Sequence, residues 1–81
     1  MQYPEIYIRR LHYEQAELKL KKELDELYMQ EYKKIRIVHG KGQGILRQMT
    51  QDYLALQPFV KKFYEAPHFS GGNGVTIVEF Y

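Results

Sequence analysis

The residues best suited to chemistry gather at His39-Gly40-Lys41-Gly42-Gln43-Gly44, with Arg47 one turn further on. An apolar run precedes this tract and a helix-like run follows it, so the glycines fall between a strand and a helix N-terminus. Glycine permits a tight turn and close backbone approach to a ligand. The first-turn N–H groups of a helix lack intrahelical partners and carry its partial positive charge, which suits an anion. Lys41 and Arg47 add formal charge, and the ligand this set favours is a phosphate. His39 has two readings: a general acid or base beside a phosphate that Lys41 neutralises, or a hydrogen-bonded residue that holds the turn.

Comparison with nucleotide motifs narrows the ligand. A Walker A loop ends in Gly-Lys-Ser/Thr so that a hydroxyl can hold magnesium, whereas Lys41 is followed by Gly42. A dinucleotide fingerprint runs G-x-G-x-x-G with an acid about 20 residues on; here the glycines run G-x-G-x-G, and Val60 and Lys61 occupy that region. Charge points instead to a polymer. Between Lys33 and Lys62 seven basic residues face the single acid Asp52, a net +6, whereas Leu11 to Glu31 carries −3. Such asymmetry fits a polyanionic partner on one side of the molecule, or a solvated basic surface. Among the eight tyrosines, Tyr7 and Tyr64 are candidates to stack on exposed bases, or else to pack on a sheet with the hydroxyl at its rim. The three histidines, His12, His39 and His68, show no metal-ligand spacing, and no serine or cysteine nucleophile stands beside one.

The elements that must position these groups follow from periodicity. Glu5 to Arg9 alternates and reads as a strand; Tyr13 to Met29 carries a helical stripe of Ala16, Leu20, Leu24 and Leu27. Lys34 to Val38 is a second strand, and Gly44 to Leu56 a second helix with Leu46, Met49, Tyr53 and Leu56 on one face before Pro58. Val60 to Glu65 and Val75 to Phe80 are further strands, joined by a Pro- and Gly-rich segment from Ala66 to Gly74 expected to be exposed and mobile. The order β-α-β-α-β-β predicts an α/β two-layer sandwich, with a four-stranded mixed sheet and two helices on one face.

With 81 residues, 44% hydrophobic and 27% charged, the chain fits a single soluble domain. It has no cysteine, hence neither disulfides nor a cysteine zinc site, and no apolar run near the ~20 residues of a membrane span. A cytoplasmic setting is the expectation.

The string Ile35 to Arg47, containing H-G-K-G-x-G-x-L-R, and the ending Gly71-Gly72-Asn73-Gly74-Val75-Thr76-Ile77-Val78-Glu79 resemble the Smr (small MutS-related) domain. The likeness is greatest to the version at the C-terminus of bacterial MutS2 proteins. It implies a fold similar to the C-terminal domain of translation initiation factor three, and residues 1–81 as one domain of a longer parent. It also implies sequence-tolerant binding of branched or structured DNA, or of RNA and the ribosome, by Arg9, Arg10, His39, Gly40, Lys41, Gly42, Gly44, Arg47, Gly71, Gly72 and Gly74. A nicking endonuclease using His39, Lys41 and Arg9 is the alternative it carries, and a module docking on a ribosome or partner clamp the second. The family's first motif, L-D-L-H-G or L-D-L-R-G, corresponds to Ile6-Tyr7-Ile8-Arg9-Arg10, with Tyr7 at the usual aspartate and Arg10 at the usual glycine. No cofactor is implied for the domain itself; a divalent metal is compatible but not indicated, and ATP belongs to the parent. The resemblance further implies a bacterial protein, monomeric as an isolated domain and dimeric in its parent.

Overall fold

The computed structural model describes residues 3–81. Its elements are β1 (Glu5–Tyr7), α1 (Tyr13–Met29), β2 (Lys34–Val38), α2 (Ile45–Ala55), β3 (Val60–Glu65) and β4 (Val75–Phe80), with single 3₁₀ turns at His68–Ser70 and Gly72–Gly74. The four strands form one sheet in the order β1-β2-β4-β3. β1 pairs parallel with β2, while β4 runs antiparallel to both β2 and β3. The α/β architecture, mixed sheet and helix pair therefore match the sequence expectation.

Alternation sorts the side chains into two faces. Ile6, Ile8, Ile35, Ile37, Val78 and Phe80 turn to one side, where Ala16, Leu20 and Leu24 of α1 and Met49 and Leu54 of α2 complete the main core. Val38, Val75, Ile77 and Ala66 form a smaller cluster on the helix-free side. Each fully buried Leu or Ile contributes about 1.5–3 kcal/mol relative to exposure, so the main core fixes both helices on one face. Stacked Tyr28 and Phe59 rings, with Phe80 beside them, close the end of the sheet where β2 begins.

Some boundaries differ from the sequence reading. β1 stops at Tyr7 because the chain leaves the sheet through Arg10, whose φ of 70° lies in the left-handed region. α2 ends at Ala55, leaving Leu56 exposed beyond it, and Thr50 and Leu54 join Met49 on the buried face instead. The Thr50 hydroxyl is satisfied by the Leu46 carbonyl at 2.8 Å. The 66–74 connection is not uniformly exposed: Ala66, Gly72 and Gly74 are buried, and it folds into two 3₁₀ turns.

Candidate nucleic-acid interface

The carboxyl ends of the parallel pair β1 and β2 lie side by side, so the segments leaving them meet above the sheet edge. Ligands favour such a crevice in open α/β sheets. The segment after β1 supplies Arg9 and Arg10; the one after β2 supplies His39 to Gly44 and leads into α2. The loop entering β4 closes the third side, because the Gly74 carbonyl accepts the backbone N–H groups of both His39 (3.1 Å) and Gly40 (2.9 Å). The result is a groove of about 740 Å³.

Of the residues singled out in the sequence, Arg9, Arg10, His39, Gly40, Lys41, Gly42, Gly44, Arg47, Gly71 and Gly74 all line this groove, and Gly72 does not. Arg36 also lines it, which gives five cationic side chains and, among the described residues, no acidic one on the wall. Nothing in the strand pattern marks Arg36, since a charged residue alternating with Ile35 and Ile37 reads as solvent-facing. Its position becomes visible only once β1 and the 66–74 loop are in place. Arg36 Nη1 donates to Ser70 Oγ at 2.9 Å, and Nε stands 3.2 Å from Glu5 Oε2 as an ion pair without hydrogen-bond alignment.

Backbone conformation explains the glycines where side chains crowd. Gly40 has φ of 81°, and a Cβ there would stand 2.9 Å from Arg9 Cγ, so the Arg9 stem lies directly across it. That contact aims one cation over the turn. α2 opens at Gly44 with no side-chain cap and no acid in its first turn, while Arg47 sits within that turn. Helix N-termini ordinarily gain from a capping oxygen or a carboxylate, and a cation there is unfavourable unless an anion comes from outside.

His39 is buried, at 4% exposure. Its Nδ1 lies 3.0 Å from the Gly40 carbonyl and its Nε2 2.8 Å from Thr76 Oγ1. A carbonyl only accepts, so Nδ1 carries the proton, and Nε2 accepts from the Thr76 hydroxyl. Burial pushes the imidazole below its ordinary value, the bond to Gly40 works against this, and the Arg47 charge adds to the lowering. The neutral ring thus has both nitrogens engaged within the fold.

Tyr7 and Tyr64 do not line the groove. Tyr7 follows Ile6 and precedes Ile8, both in the main core, so it projects from the helix-free face, half exposed. The Tyr64 hydroxyl donates to Glu79 Oε2 at 2.7 Å, with Lys34 and Lys62 each 3.9 Å from the same oxygen. Among the described residues no group of three or more His, Cys, Asp or Glu is placed to hold a metal ion, and no helix is long and apolar enough to cross a membrane.

The Smr domain family model matches residues 6–81. The chain belongs to the Smr domain family. The crystal structure of the Smr domain of Thermus thermophilus MutS2 superposes on this Smr domain with a TM-score of 0.91 and 35% identity, covering 96% of this chain and 98% of that one. YdaL, a stand-alone small MutS-related protein from Escherichia coli, shares the fold at a TM-score of 0.91 and 20% identity, over 99% of this chain and 66% of that one. Endonuclease MutS2 of Carboxydothermus hydrogenoformans is 46% identical over 74 residues, 91% of this chain and 10% of that protein. The Latilactobacillus sakei Endonuclease MutS2 is 42% identical over 73 residues, 90% of this chain and 9% of the other. The Smr domain thus spans about a tenth of the length of these relatives.

Proposed function

We propose that this Smr domain binds the phosphate backbone of DNA or RNA in the groove, with little regard to sequence. The observation that carries this reading is the N-terminus of α2, which opens onto the groove uncapped and without an acid, beside Lys41 and Arg47. Phosphate oxygens would take the free N–H groups and offset the clustered cations, while backbone contacts supply affinity rather than sequence readout. A polymer fits better than a mononucleotide, because five cations surround an open groove that lacks the magnesium-holding hydroxyl of a phosphate-binding loop. Within a longer bacterial, cytoplasmic MutS2-like protein, the domain would act on branched DNA or on ribosomal RNA.

Strand cleavage is the second reading, favoured by the name endonuclease carried by the relatives. In that case Lys41 and Arg9 would neutralise the phosphodiester. His39, with both ring nitrogens engaged, serves the groove best as the anchor of its turn. Fluorescence anisotropy with labelled single-stranded and duplex DNA and RNA tests the binding reading: a Lys41→Ala, Arg47→Ala double variant should lose most of its affinity while keeping its melting temperature. Unchanged affinity would remove the groove as the site. Nicking of supercoiled plasmid that persists equally in Lys41→Ala and His39→Ala variants would assign that cleavage to a contaminant.

A further inference from the structure

Phe69, one residue before the Ser70 that accepts from the groove-wall Arg36, is 91% exposed, more than any other large apolar residue among the described residues. A lone exposed apolar residue is ordinary on a protein surface. What distinguishes Phe69 is that the backbone beneath it is held from several sides. The Pro67 carbonyl accepts the N–H groups of Ser70 (2.8 Å) and Gly72 (3.0 Å), which fixes the turn on which the ring is mounted. The next side chain, Ser70, accepts a hydrogen bond from Arg36, a residue of the groove wall. Two residues on, Gly71 lines the groove itself, and Gly74 ties the loop to His39 and Gly40. The ring is thus presented to solvent by an anchored turn at the margin of a cationic groove.

We propose that Phe69 is a stacking platform for an unpaired nucleobase whose flanking phosphates lie in the groove. The inference rests on the phosphate-binding reading above and narrows its substrate to strands with unstacked bases: single-stranded segments, junctions or flaps. An aromatic face offers stacking to any base, so it adds affinity without sequence preference, as the phosphate contacts do. Bases inside a continuous duplex are stacked on each other and leave nothing for Phe69 to cover. The adjoining cations favour this occupant over an apolar protein segment, which would leave them without counter-charge.

The chain contains no tryptophan, so Phe69→Trp places a single fluorescent reporter at the position. Oligothymidylate, oligouridylate and a fully paired duplex of equal length serve as probes, separating DNA from RNA as the source of the base. Phe69→Ala should weaken binding of the single strands by on the order of tenfold and leave duplex binding unchanged. Phe69→Trp should retain the affinity, its indole emission quenched on saturation with single strands only, whereas Phe69→Leu should behave as Phe69→Ala. Single-strand affinity unaltered in Phe69→Ala, or indole emission of Phe69→Trp indifferent to saturating oligonucleotide, would overturn the stacking role while leaving groove binding intact. Absence of binding by the unaltered protein to all three probes would instead overturn the phosphate reading itself.

Discussion

The Thr76 hydroxyl lies 2.8 Å from Nε2 of His39 and binds the ring in one tautomer, with the opposite nitrogen on the Gly40 carbonyl. The central strand β4 thereby reaches across to hold the turn that opens the groove. Thr76→Val keeps the volume but leaves a buried ring nitrogen unpaired, which should cost about 1–2 kcal/mol. Urea denaturation should show that loss, and Thr76→Ser should recover most of it.

The same burial sets a pH dependence. The folded His39 is held below its ordinary value of 6.5, so the unfolded chain binds the proton more readily than the folded one. Its contribution to stability is therefore fully present above 6.5 and declines as pH falls from there through the lower folded value. The difference in denaturation midpoint between the wild type and His39→Gln should be constant above 6.5 and shrink below it. The His39 ring resonances, followed by NMR, should titrate on the acid side of 6.5.

Arg10 occupies a left-handed conformation, φ 70°, on the groove wall. An L side chain there is strained by roughly 1 kcal/mol, and glycine is not. Arg10→Gly should thus hold or raise the melting temperature while lowering nucleic-acid affinity. These opposite signs, read by calorimetry and anisotropy, would separate a charge retained for binding from one retained for folding.

Gly71 has φ of 115°, and a Cβ on it would overlap Val75 Cγ2. Gly71→Ala should destabilise by about 2 kcal/mol through backbone strain and the clash with the first residue of β4. Thermal unfolding would register it. Asn73→Ala, an exposed change in the same loop, should move the midpoint by far less.

Local chemistry makes the two helices and the groove's first wall legible in the sequence. Ala16, Leu20 and Leu24 repeat at helical spacing because they meet one sheet face, and the His39 to Gly44 tract is contiguous. What depends on distant pairing is harder to read. The insertion of β4 between β2 and β3 is a tertiary choice; its trace is the uncharged, β-branched Val75 to Val78 run, buried on both faces, against the lysine pair of edge strand β3. Arg36 joins the groove only when Ser70 and Glu5 come beside it. His39 is equally suited to moving a proton or holding the turn until Thr76, 37 residues away, supplies its second partner.

The salt dependence of affinity tests the phosphate groove most directly. Each neutralised phosphate releases counterions, so the logarithm of the association constant should fall linearly and steeply with the logarithm of salt concentration. Lys41→Ala should make that slope shallower by about one and weaken binding across all sequences alike. A wild-type affinity flat from low to physiological salt, or a slope unmoved by Lys41→Ala and Arg47→Ala together, would contradict the assignment.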